Sequence, residues 1–286
     1  MHSVTSAKLR VKIAMKIIQI TDNHLVTPGD LLDGLNPIDS LDACIEAVNS
    51  HQSDAAFCVF LGDISNNGAA DTYRAFKQSA DKLNLKYYVM MGNHDDRDVF
   101  CENLPEAQRD SYGFIQQVIK TDLGHFLLLD TIAAGQSWGE YCELRGQWLK
   151  AQLRDAGDLP VYIFMHHPPF DIAMASMDRL KVLDTTHFEA AIEGFTNIRH
   201  IFLGHVHRTI SGNWRNISYS ILPGTNHQIA FNFDVFSPVP HALDPPAYGM
   251  ILIEKDQIIV HPHFYSLNKD LPIPDNAVWV DKTKTT

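Results

Sequence analysis

Apolar residues gather along the chain in short continuous runs, and several of these runs end in a polar cluster. Residues 16–20 lead into Thr21-Asp22-Asn23-His24, residues 56–61 into Gly62-Asp63, and residues 87–91 into Gly92-Asn93-His94-Asp95. Downstream, residues 161–165 lead into His166-His167-Pro168-Pro169, and residues 200–203 into Gly204-His205-Val206-His207. Runs of this length without polar alternation fit strands buried on both faces. Further strands are predicted over 126–130, 217–222, 249–254 and 257–264, with Glu254-Lys255-Asp256-Gln257 as a hairpin turn.

Between the strands, apolar residues recur at helical spacing. In 37–50 they are Leu41, Ile45 and Val48, with Asp39 or Ser40 as the expected N-cap. Residues 69–84 and 146–156 read as helices in the same way. Strands alternating with helices imply βαβ units and an α/β fold. Ligands in such sheets sit beyond the carboxyl ends of the strands, where all five polar clusters fall.

This pattern divides the chain into an N-terminal extension over 1–14, one domain over 15–267 and a polar, Pro-containing C-terminal tail over 268–286. The extension carries Lys8, Arg10 and Lys12 but no apolar core, so it does not read as a signal peptide; Met15 is an alternative start. Within the domain, residues 231–248 hold Pro238, Pro240, Pro245, Pro246 and several aromatics. They are expected to form a rigid loop over the pocket or at a subunit contact, and a dimer or higher homo-oligomer is expected.

Composition narrows the partners. The 286 residues are 45% apolar, enough for a sizeable core, and no run of eighteen apolar residues suggests a membrane span. The net charge of -11 argues against a nucleic acid polymer as partner, although a locally positive metal site still attracts a small anion. Cys44, Cys58, Cys101 and Cys142 show no CxxC pairing and read as reduced thiols of a cytoplasmic protein, Cys58 being buried.

Singly, the polar clusters say little, because a lone His or Gly-Asp is usually structural. Jointly, two Asp, one Asn and four His follow successive strands, and imidazole with carboxylate suits Zn, Mn and Fe. In extended chain, His205 and His207 would point to one side, as would Asp22 and His24. A carboxylate such as Asp63 can bridge two cations roughly 3.5–4 Å apart, the spacing of two-metal hydrolases. Asn93 offers a neutral carbonyl ligand.

The ordered set Asp22-x-His24, Gly62-Asp63, Gly92-Asn93-His94-Asp95, His166-His167-Pro168-Pro169 and Gly204-His205-x-His207 resembles the calcineurin-like metallophosphoesterase superfamily. The resemblance runs from about residue 16 to residue 264 and implies a four-layer α/β/β/α sandwich. It implies one metal on Asp22, His24, Asp63 and His207 and a second on Asp63, Asn93, His166 and His205, drawn from Mn, Fe, Zn or Co. His94 is then the expected catalytic His beside Asp63. Asn93, His94, Asn66, Asn67, Arg97, His167 and His227 are the candidate substrate contacts, with Arg97 equally suited to a surface salt bridge. The continuations Asp95-Asp96-Arg97 and Leu222-Pro223-Gly224-Thr225-x-His227-Gln228 are similar to the class III cyclic nucleotide phosphodiesterase and glycerophosphodiesterase group.

That resemblance implies hydrolysis of small phosphodiesters by a hydroxide that the metal pair activates. A phosphomonoesterase or nuclease is the rival enzyme. A non-catalytic scaffold of the same fold is the rival outside enzymes, but it should have lost ligands, and none is missing here.

Overall fold

The continuous apolar runs fold as the central strands of two sheets. A computed structural model describes residues 13–267 apart from positions 106 and 108; positions 1–12 and 268–286, which hold the expected extension and tail, lie outside the described residues. In chain order the elements begin β1 (Met15–Ile20), α1 (Pro37–His51), β2 (Phe57–Leu61), α2 (Ala70–Ala80), β3 (Tyr87–Met90), α3 (Arg97–Asn103), β4 (Gln117–Thr121), β5 (Gly124–Leu129) and α4 (Glu143–Ala156). They continue with β6 (Val161–Met165), α5 (Ala175–Asp178), α6 (Thr186–Ile192), β7 (Ile198–Leu203), β8 (Ile210–Trp214), β9 (Ile217–Ile221), β10 (Gln228–Ile229), β11 (His241–Ala242), β12 (Tyr248–Ile253) and β13 (Ile258–His263).

One sheet has the order β13-β12-β1-β2-β3 and the other β4-β5-β6-β7-β9-β8. β1, β2 and β3 run parallel, while β12 pairs antiparallel with β1, placing Met15 opposite Ile253. In the second sheet β5, β6, β7 and β9 are parallel and the edge strands β4 and β8 antiparallel. Parallel strands buried on both faces require uninterrupted apolar sequence. Along β6, Val161, Ile163 and Met165 join the core under the helices, while Tyr162 and Phe164 join the core between the sheets.

Three apolar layers hold the molecule together. Ile17, Val59, Leu61, Phe126, Phe164 and Phe202 fill the space between the sheets. Leu41, Ile45 and Val48 of α1, Tyr73 and Phe76 of α2 and Phe100 of α3 cover the first sheet. Leu149 and Leu153 of α4 and Phe188 of α6 cover the second. Each fully buried side chain of this size contributes about 1.5–3 kcal/mol. This is the expected α/β/β/α sandwich.

Details depart from the sequence reading. Asn36, rather than Asp39 or Ser40, caps α1: its Oδ1 accepts from Ile38 N at 3.1 Å, and Pro37 occupies the first turn, where a missing N–H costs nothing. α2 ends at Ala80 rather than at residue 84. The hairpin turn closes as expected, with Glu254 N donating to Gln257 O. Residues 231–248 run from β10 through its ribbon partner β11 to β12, and Phe231, Phe233, Val235 and Phe236 stand exposed. All four cysteines are free, and Cys58 is fully buried. Among the described residues no helix is long and apolar enough to cross a membrane.

Candidate metal centre

The polar clusters converge past the carboxyl ends of β1, β2, β3, β6 and β7, but not by the extended geometry the x-spacing suggested. Asp22, His24, Asp63, His205 and His207 all have φ between 47° and 67°. This left-handed region costs a residue with a Cβ roughly 1–2 kcal/mol. Five such residues at one place mark backbone bent to aim side chains rather than to continue strands.

Asp22, His24, Asp63 and His207 bring one donor atom each within 4.8 Å of one another, and all four are buried. His166 and His205, together with His167, make a second such group. Asp63 Oδ2 links them, 3.5 Å from His24 Nε2 and 3.2 Å from His166 Nε2.

Three of the rings are fixed from behind. His166 Nδ1 donates to Leu61 O at 2.9 Å, and His207 Nδ1 to His227 O at 2.9 Å. His24 Nδ1 lies 3.1 Å from Asn66 Oδ1. All three Nε2 atoms therefore face inward. The carboxylates are held by backbone donors: His205 N reaches Asp22 Oδ1 at 3.1 Å, and His94 N reaches Asp63 Oδ1 at 2.9 Å.

Inward, the donors lack partners. Asn93 Oδ1 and His205 Nε2 are buried without a hydrogen bond. His24 Nε2 and His207 Nε2 stand 3.0 Å apart, so a proton or a cation has to lie between them. Burial alone would raise Asp22 and Asp63, but the neighbouring histidines outweigh it and hold both carboxyls below the usual range. Burial keeps His24 and His205 neutral well below 6.5, leaving lone pairs for a metal. His166, despite burial, is raised to about 9 by Asp63 and Asp22, a proton that a cation would replace. Carboxylates ionised and imidazoles turned by second partners are what divalent cations require, so these residues fit metal binding.

The remaining expected residues divide. His94 is exposed, edge-on to the His24 ring at 4.7 Å, with Nδ1 2.9 Å from Asn66 O. His227 lies with its ring 4.9 Å from that of His24 and 4.8 Å from that of His207; burial first, then His207 and His241, push it to about 3. His167 packs its ring 4.5 Å from that of His205, with Nδ1 2.8 Å from Thr131 Oγ1. Asn66 orients His24, and Asn67 Oδ1 accepts from Ala69 N, shaping the turn before α2. Arg97 is committed to a two-pronged pair with buried Asp130, at 3.0 and 3.2 Å. The salt-bridge alternative describes it better than substrate contact.

Sequence reading left Asp95 without a role. Its buried carboxylate accepts from Gly92 N at 2.9 Å, Ser65 N at 2.9 Å, Ile64 N at 3.2 Å and Tyr73 Oη at 3.1 Å. It thereby ties the loop carrying Asp63 to the loop carrying Asn93. The Asn-His-Asp-Asp run contained this residue, but nothing in it distinguishes a loop tie from a surface acid.

Known proteins of one family resemble this chain. The family model for calcineurin-like phosphoesterases matches residues 15–209. A probable cyclic nucleotide phosphodiesterase of Rhodopseudomonas palustris is 34% identical over 250 residues, covering 86% of this chain and 91% of that protein. The glycerophosphodiester phosphodiesterase GpdQ of Enterobacter lignolyticus is 28% identical over 254 residues, covering 87% and 91%. Among solved structures, a dimetal phosphatase from Danio rerio superposes with a TM-score of 0.68 at 14% identity, over 89% of this chain and 97% of that one, a likeness of fold.

Proposed function

We infer the activity of this chain from the family to which it belongs, the calcineurin-like phosphoesterases, and from the donors gathered at its sheet ends: it hydrolyses small phosphodiesters at a pair of divalent cations. The observation that carries this reading is the apposition of His24 Nε2 and His207 Nε2 at 3.0 Å beside two ionised aspartates. Asp22, His24, Asp63 and His207 would hold one ion, and Asp63, Asn93, His166 and His205 the other. Bound there, the pair supplies positive charge for the phosphoryl oxygens and activates water at neutral pH.

The chain's own groups do the rest. His94 stands beside the centre, exposed, with its Nδ1 hydrogen directed to Asn66 O. That contact fixes Nδ1 as the donor side of the ring and leaves Nε2 to exchange a proton with the leaving alkoxide. His227 also borders the His24 and His207 rings. Arg97 is bound to Asp130 and so is not available to clamp the second charge of a phosphomonoester, which favours diesters. Glycerol-linked and cyclic nucleotide diesters both suit such a site, in keeping with the relatives' names. The exposed side chains of Phe231, Phe233 and Phe236 favour association with a second copy.

Steady-state kinetics on Mn-loaded protein test this reading, using glycerophosphodiesters, cyclic nucleotides and the matched monoesters. A higher kcat/KM for diesters is expected. A preference for the monoesters would overturn the diester reading, and no turnover of either class would overturn the enzyme's proposed chemistry.

A further inference from the structure

Beyond the inner donors, Asp33, His227 and His241 bring three donor atoms within 4.8 Å of one another. They come from separate parts of the chain: the loop after β1, the segment before β10, and β11. His241 Nδ1 lies 2.8 Å from Asp33 Oδ2, and His227 Nδ1 lies 3.7 Å from the same oxygen. The two imidazoles stack at 4.2 Å with 21° between their planes.

We propose that Asp33, His227 and His241 form a third cation site, at the mouth of the metal centre, for a borderline transition metal such as Zn²⁺. One carboxylate oxygen and two imidazole nitrogens are the donor types such ions select. At metal–ligand distances near 2.0–2.2 Å, tetrahedral donors stand roughly 3.3–3.6 Å apart. The two separations from Asp33 Oδ2, 2.8 and 3.7 Å, bracket that spacing. A metal lies in the plane of each imidazole it binds, so near-parallel rings cannot share one as they stand. The His241 side chain is 43% exposed and free of the core, and turning its ring brings the two planes together; His227, only 4% exposed, stays as the fixed ligand. Asp33 is 34% exposed, so an ion reaches it directly from solvent.

The site is weaker than the inner pair by its construction. It has three donors and two of them are open to water, whereas the inner donors are buried and held by backbone contacts. His227 borders both places, its ring 4.8 Å from that of His207. The competing account is that Asp33 and His241 only clasp two surface loops by a hydrogen bond.

Equilibrium dialysis of the full chain against Zn²⁺ decides between them, comparing wild type with the double variant Asp33→Asn, His241→Gln. The proposal expects the variant to bind one equivalent fewer, the missing one being the weakest in wild type, with circular dichroism unchanged. Superimposable isotherms would overturn it. Loss of the tight equivalents in the variant would overturn it as a separate site. Wild type saturating below two tight equivalents would instead remove the two-ion reading of the inner centre, leaving the one-equivalent difference still readable.

Discussion

Gly92 lies flat against Asp63: a β-carbon at position 92 would collide with both the Oδ1 and the backbone N of Asp63 and come within 2.6 Å of its Cγ. The conflict is steric alone, because Gly92 is not among the glycines of positive φ. Gly92→Ala is therefore expected to push the Asp63 backbone as well as its side chain, at an overpacking cost of about 1–3 kcal/mol, and so to displace the carboxylate shared by the two donor groups. Metal analysis of the purified variant should show both ions depleted and the diesterase activity gone. Full metal content and activity would mean that Asp63 does not occupy the shared position.

Substitution of the donors themselves should separate the two ions. Asp63→Ala is expected to empty both positions. Asn93→Ala removes one neutral oxygen, now buried and unpartnered, and should raise the metal concentration needed for the second ion while sparing the first. Titration of activity and of bound metal measures both effects; an unchanged second-ion affinity in Asn93→Ala would assign that oxygen elsewhere.

If His94 protonates the leaving group, its value depends on how poor that group is. General acids supply about 10²–10⁴-fold. His94→Ala should lose that much on an alkyl diester and far less on a nitrophenyl diester, with metal content intact. Equal losses on the two substrates would reduce His94 to holding a phosphoryl oxygen.

His200 lies outside the centre, 6% exposed, its Nδ1 2.8 Å from Ser218 Oγ and its Nε2 2.9 Å from Ser220 Oγ. Burial lowers it from 6.5 to about 4. The unfolded chain takes up this proton first as pH falls, so the stabilising contribution is complete above pH 6.5 and drains away towards pH 4. Between pH 7 and pH 5 the loss is about 2 kcal/mol. Urea unfolding at the two pH values should show a smaller pH-dependent change in His200→Gln than in wild type; parallel changes would mean that His200 is not the group responsible.

What the sequence disclosed follows from where pattern and structure share a cause. Val161, Tyr162, Ile163, Phe164 and Met165 are apolar without a break because both faces of β6 are covered, so strand and ligand position could be read together. α3 and α6 span seven residues each, too few turns for a periodic signal. β8, Ile-Ser-Gly-Asn-Trp, is an exposed edge strand that needs no apolar run. The inner donors were legible because each follows such a run. Their left-handed backbone was not, since Asp22 and His24 carry no glycine to announce it. Asp95 and the Asp33–His241 pair were hidden for another reason: their partners are brought by tertiary folding and leave no local spacing.

The pairing of Met15 with Ile253 has a bearing on how the protein is made. β1 leaves the ribosome long before β12, which completes its hydrogen bonding on one side and lies more than 200 residues further on. Domains whose contacts span most of the chain finish folding only when the far partner arrives. Until then Asp22 and His24 hang from a strand paired on one flank, although His166, His205 and His207 already follow strands of the second sheet, whose last strand ends at Ile221. The donor set is thus assembled late, and a nascent chain stalled before residue 248 would carry all of it on an unfinished first sheet.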